Sequence, residues 1–163
     1  MQPDVWDVPG AQWRPVDARL ARVRLINLYL VCVPLAGVAA LLAVWWWGQR
    51  FAWLIAALAL ALLILRTVAI VRAVKVWAYA ETDEHLLVRH GIWTRRLSIV
   101  PYGRLQYLDV TADPVSRVYR LATLVLHTAA ATTDATVPGL SPQAATELRD
   151  RLAEVSGART EGL

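Results

Sequence analysis

Among 163 residues there is one cysteine, Cys32, and it lies in the most apolar stretch of the chain. An intrachain disulfide and a multi-cysteine metal site are thereby excluded. Lysine is nearly missing as well: of the 17 basic residues only Lys75 is not an arginine, and against 13 acids they leave a formal net charge of +4 and a pI near 9.7. Such a balance suits an anionic membrane surface at least as well as nucleic acid. Charged residues make up 18% of the chain and apolar ones 57%, with a mean hydropathy of +0.41; globular domains average about 25% and 45–50%. That composition argues against an ordinary water-soluble globule. Enzyme signatures are missing too: there is no Gly-rich phosphate loop, no His pair at helical spacing and no nucleophile elbow. His85, His90 and His127 fall on different predicted strands without a Cys or acid cluster at metal spacing. No catalytic, cofactor or metal residue is assigned, and a non-enzymatic role without a cofactor is expected.

What the sequence does have is two long uncharged runs. No charge occurs over residues 25–47, where Asn27 is the one strongly polar side chain. At about 1.5 Å per residue that helix is about 35 Å long, enough to cross a hydrocarbon core of roughly 30 Å. A second run, 51–71, is interrupted only by Arg66, which can snorkel to an interface. Gly48-Gln49-Arg50 is too short to host a domain, so the two spans are expected to form an antiparallel hairpin. A cleaved signal peptide fits poorly, because its apolar core is about 7–15 residues and its leader basic. Here residues 1–24 form a mixed-charge N-terminal segment. Arg14, Arg19, Arg22 and Arg24 precede the first span, and Arg72, Lys75, Arg89, Arg95 and Arg96 follow the second, whereas Arg50 alone sits at the tip. The positive-inside bias places both termini in the cytoplasm of a multi-pass inner-membrane protein. Trp45, Trp46, Trp47 and Trp53 at the tip, with Trp13 and Trp77 at the base, are read as interface anchors. Ala36, Gly37, Ala39 and Ala40 offer small surfaces for helix contact.

Beyond Val76 the pattern changes to short alternating stretches punctuated by Pro, Gly and Asp, a β-rich domain over 76–157 followed by a tail, 158–163. Strands are predicted at 76–80, 86–90, 95–100, 104–111, 122–128 and 135–137. In the third, Leu97 and Ile99 alternate with Arg96 and Ser98, giving one wet face. In the fourth, Leu105 and Tyr107 face away from Leu108 and Val110, which suggests that both faces are covered. Gly91 marks a turn or bulge, and Asp113-Pro114 starts a turn. Ser141-Pro142 supplies an N-cap and N1 proline for a last helix, with Leu148, Leu152 and Val155 on one face and Gly157 as its stop.

The runs Leu86-Leu87-Val88-Arg89-His90-Gly91-Ile92-Trp93-Thr94-Arg95-Arg96, Val100-Pro101-Tyr102-Gly103-Arg104-Leu105-Gln106, Asp113-Pro114-Val115-Ser116-Arg117 and Leu121-Ala122-Thr123-Leu124, with Pro138-Gly139-Leu140 before the closing helix, carry a resemblance. In these motifs and in its two preceding membrane helices, the chain resembles the YdbS-like group of bacterial pleckstrin-homology (PH) membrane proteins. One departure is Arg120, where many members have Gly. The resemblance implies a PH-like fold: two roughly orthogonal antiparallel sheets of seven strands in all, capped by the C-terminal helix. Six strands are legible, so a seventh is expected near 115–119 or within 122–137. Proteins resembling this family often accompany a larger relative, which implies a second membrane protein as partner, with self-association open.

PH domains are associated with phosphoinositide head groups bound near the first strand loop. Here that loop reads Glu81-Thr82-Asp83-Glu84, whose carboxylates repel phosphate. Candidate lipid-facing residues are Arg89, Arg95, Arg96 and Arg104, either as a reader of anionic lipid or as a solvated face. Candidate partner-binding residues are Trp93, Arg104, Gln106 and Arg117. Arg104 and Gln106 are two apart on one strand, hence on one face, and serve either a groove or the tying of loops. Trp93 is either an interface aromatic or a core residue. Nucleic acid is not expected, since the arginines adjoin membrane helices and no aromatic stacking platform interleaves with them. The expected function is a membrane-anchored scaffold presenting a PH-like domain to a protein partner, with an anionic-lipid sensor as the alternative.

Overall fold

The computed structural model describes residues 8, 10–128 and 134–160, apart from the side chains of 47 and 158–160. Expectations about the first residues, the tail and the Trp47 ring lie outside the described parts. Element order is β1 (Arg14–Pro15), α1 (Arg19–Trp47), α2 (Gln49–Val76), β2 (Ala78–Glu81), β3 (His85–His90), β4 (Arg96–Pro101), a 3-10 turn (Tyr102–Arg104), β5 (Leu105–Thr111), α3 (Pro114–Val118), β6 (Ala122–Thr128), β7 (Ala135–Leu140) and α4 (Pro142–Thr160).

Both apolar runs are helical and antiparallel, and both helices continue past the uncharged stretches into the basic flanks. Only Gly48 separates them, at φ +85°, where its missing Cβ permits the reversal. The Tyr29 and Thr67 hydroxyls hydrogen-bond across the hairpin at 2.8 Å. The tight contact lies near the tip, at Ala43 and Ala52. Gly37 has open space where a Cβ would sit, so it does not serve close helix approach; it lines an apolar groove of about 790 Å³ with Cys32 and Ala36.

Two sheets follow, ordered β1-β2-β3-β4 and β5-β6-β7, all pairs antiparallel. The seventh strand is Arg14–Pro15, ahead of the hairpin, paired with Tyr79 and Ala78. Residues 114–118 instead form a short helix, because Asp113 accepts the Ser116 N–H at 2.7 Å and its hydroxyl at 3.0 Å as an N-cap with Pro114 at N1. Two residues carry too little periodicity to be read as a strand; only their pairing reveals it. The whole membrane hairpin is therefore the connection between β1 and β2.

Two predicted faces are reversed or shifted. On β4 the partners decide: Leu86 lies opposite Val100 and Val88 opposite Ser98, so Val100 and Ser98 share the core face while Ile99 is 50% exposed. On β5 a bulge after Leu105 leaves Gln106 without a cross-strand partner. Leu105 thereby joins Leu108 and Val110 against the core, and Tyr107 turns outward. The core itself is Leu86, Val88, Val100, Leu124, Leu126 and Val137, closed by Leu148 and Leu152 of α4. Ser141 caps α4 through the Ala144 N–H, and the helix runs through Gly157 to Thr160.

Candidate functional site

Antiparallel order gives the domain two unlike ends. The hairpin, the β3–β4 turn, α3 and the start of α4 lie at the membrane-facing end, whereas the β2–β3 loop and the 3-10 turn lie at the far end. At the far end the Tyr102 N–H meets the Glu84 carbonyl at 3.2 Å and the Tyr102 hydroxyl donates to the Thr82 carbonyl at 2.9 Å. The Glu81–Glu84 segment is thus the second strand connection, not the first, and lies at the end of the domain away from the hairpin. Glu81 accepts from Arg14 at 3.4 Å and from Arg151 at 3.3 Å, tying β1 and α4 to β2.

The membrane-facing end is basic and is seamed to the hairpin in two places. Val16, Leu20, Val23 and Val74 pack with Leu121, flanked by Val115 and Tyr119 of the α3 region. Beside this seam the Arg24 guanidinium covers Trp77 at 4.6 Å, and Trp77 stacks on His90 with centroids 5.0 Å apart. Arg89 lies over Trp13 at 4.6 Å. Trp77 is thus held inside the junction, and Trp13 is half-buried beneath Arg89. By contrast Trp45, Trp46 and Trp53 at the tip are exposed. Two acids at this end are occupied: Asp17 accepts the Arg19 N–H at 2.7 Å, and Asp113 caps α3.

Burial, reinforced by Arg96 and Arg24, holds the His90 imidazole below its ordinary value. Its Nδ1 and the Trp77 Nε1 are buried without a hydrogen-bond partner among the described residues. The unfolded chain therefore takes up a proton that the folded one refuses as pH falls below about 6.5, and stability drops until the depressed folded pKa is reached. Acidification through that window is expected to lower the protection factors of amides around residues 77–90, that is, exchange rates corrected for their intrinsic pH dependence. In His90→Phe, which keeps the stack, this part of the pH slope disappears; parallel profiles for the two proteins would contradict the assignment.

The structure separates the sequence candidates. Trp93 sits in the β3–β4 turn with Arg95 and Arg96 beside it, whereas Arg104 closes the 3-10 turn beyond the other end of β4, about 20 Å away at ~3.3 Å per residue. Arg89, Arg95, Arg96 and Arg104 do not gather on one face. Nor do Arg104 and Gln106 alternate on a strand, since one ends a 3-10 turn and the other is the bulged residue. Arg117 is in α3 at the membrane-facing end and donates from Nε to the Ala112 carbonyl at 3.1 Å. Sequence reasoning missed Val118, 79% exposed between Arg117 and Arg120, and Tyr107. An apolar residue set among arginines after Asp-Pro was the available signal for Val118. No group of three or more metal-ligating side chains occurs among the described residues.

A seven-stranded pair of sheets closed by a C-terminal helix agrees with a family model described as a bacterial PH domain, which matches residues 16–156. The chain belongs to the bacterial PH domain family. That match begins at Val16, directly after β1, so the family unit contains the hairpin rather than having it appended. Over 151 residues the chain is 29% identical to the UPF0699 transmembrane protein YdbS of Bacillus subtilis (strain 168), covering 91% of this chain and 93% of that one. No solved structure matches. Together with two helices long and apolar enough to cross a bilayer, these similarities make this bacterial PH protein a membrane protein. Arg120, where the resemblance leads us to expect Gly, has φ +53° and is the one described non-glycine residue with positive φ. Glycine adopts that conformation without the cost a side chain brings.

Proposed function

We propose that this membrane protein is a non-enzymatic interaction module. Its hairpin holds the PH domain at the cytoplasmic face of the bacterial inner membrane, both termini inside, and the domain receives a second membrane protein. Support for the topology comes from the arginines gathered at the hairpin base. The observation that carries the partner role is the solvent face of the β5–β6–β7 sheet. There Tyr107, 57% exposed, stacks on His127 with centroids 4.2 Å apart, and His127 is held by Asp134 at 3.1 Å. A rigid aromatic pair costs little entropy to dock, and aromatics and Arg are enriched at interfaces. Arg104 and the bulged Gln106 adjoin it, exposed and without a hydrogen bond or ion pair among the described residues. A partner of the same membrane, either a larger PH relative or a second copy, reaches this side without displacing the hairpin.

The test is photo-crosslinking from position 107 in full-length protein reconstituted into nanodiscs from its native membrane. One stoichiometric adduct is expected, reduced about tenfold or more by Arg104→Glu, the size of a moderate interface contact of about 1.4 kcal/mol. A protein that crosslinks to nothing and elutes as a single polypeptide would defeat the proposal.

A further inference from the structure

We infer that the membrane-facing end of the domain docks on the leaflet from which the hairpin emerges, with Trp93 and Val118 as apolar wedges between arginines that meet lipid phosphates. Outside the hairpin these are the two most exposed large hydrophobic residues described, at 94% and 79%. Both stand on connections at the same end of the domain, and no residue described at the far end is comparably exposed and apolar. Arg95 and Arg96 flank the first wedge, and Arg117 and Arg120 flank the second, all four exposed. At the same end Asp17 accepts from Arg19 and Asp113 from Ser116.

Height along the hairpin places both wedges at the interface. Trp93 is three residues past His90, whose ring rests on Trp77, the residue that ends α2. The same indole carries Arg24, one residue before the uncharged run of α1 begins. α3 meets α1 through Val115 and Tyr119 against the seam of Val16, Leu20 and Val23. An indole at that level has its apolar body next to acyl chain and its N–H among head groups. The turn is also shaped to project it. Gly91 has φ +100°, and a Cβ there would run into the Thr94 carbonyl, so the five residues between His90 and Arg96 close tightly and leave Trp93 outside.

Charge fixes the sense of docking. An anionic leaflet attracts the arginine end and repels the Asp83 and Glu84 end. Because the domain is already tethered, weak contacts suffice to hold one orientation. Docked in this way, the Tyr107 face remains available at the side of the domain. The inference rests on the hairpin being in the membrane and not on the existence of a protein partner. It assigns Trp93 and Arg117 to lipid, not to that partner.

The experiment places an environment-sensitive fluorophore on the full-length protein through Trp93→Cys, Val118→Cys or Glu84→Cys, each with Cys32→Ala. The proteins are held in nanodiscs of phosphatidylcholine with phosphatidylglycerol. Labels at 93 and 118 are expected to emit to the blue of the label at 84, to be quenched by lipids spin-labelled high on the acyl chain, and to resist aqueous iodide. Replacing Arg95 and Arg96 by serine lowers the lipid quenching at 93. Iodide quenching at 93 and 118 as strong as at 84 overturns the inference. So does shielding that appears only when a second polypeptide co-purifies, an outcome that leaves the partner proposal standing.

Discussion

Leu20→Ala releases the PH domain from its hairpin while each part stays folded. Leu20 is 5% exposed and sits at the centre of the seam with Val16, Val23, Val74 and Leu121. The Gly139 backbone comes so close that a Cβ there would lie 3.3 Å from the Leu20 side chain. Removing a buried leucine side chain costs about 2–5 kcal/mol, the transfer term plus the cavity left behind. Besides this seam, the Arg24–Trp77–His90 stack and β1 tie the two parts together. β1 is two residues long, and its continuation is held by the Val16 N–H on the Trp77 carbonyl at 3.3 Å and the Asp17 N–H on the Gly139 carbonyl at 3.2 Å. Spin-label distances between the base of α1 and β7 should broaden in nanodiscs, and amides at 16–17 should exchange faster, with β6 protection unchanged. A narrow distance distribution equal to that of the wild type would show that the seam does not depend on this residue.

Leu124→Ala strongly destabilises the domain and leaves the hairpin in the membrane. Leu124 is fully buried in β6, with Val110 and Val137 opposite it on the neighbouring strands. The expected loss is about 2–5 kcal/mol, set against a total of about 5–15 kcal/mol for a typical domain. Amide protection across β5, β6 and β7 should fall together, because a single core joins them. Thr123→Ala, the neighbour on the solvent face, should change stability by about 0.5 kcal/mol or less. Equal effects of the two substitutions would mean that β6 is not the centre of the core.

How much could be read without coordinates follows from how local each signal is. Membrane spans rest on uninterrupted runs, and the cap of α4 on Ser141-Pro142, so both are written in neighbouring residues. The Asp113-Pro114 signal was equally local and correctly marked a break, but nothing nearby said that the break is a helix rather than a turn beside a strand. Faces on β4 and β5 were misassigned for a different reason. Alternation gives two equivalent sets, and which set is inside depends on the partner across the ladder, or on a bulge such as that at Gln106. The candidate site suffered most. Trp93, Arg104, Gln106 and Arg117 are all motif residues, yet their proximity is a matter of which end of a strand each occupies.

The sequence by itself determined that the chain carries two membrane spans, a β-rich domain with a closing helix, and an arginine excess at the base of the hairpin, since composition and short-range periodicity encode each of these. Tertiary structure alone decided that Arg14–Pro15 is the first strand and that the hairpin is a strand connection. It also decided that the acidic segment lies at the end of the domain away from the hairpin while Trp93 and Val118 stand at the end nearest it. The first strand depends on pairing between residues more than sixty positions apart, and hydrogen bonds across a ladder leave no periodic trace in a two-residue strand.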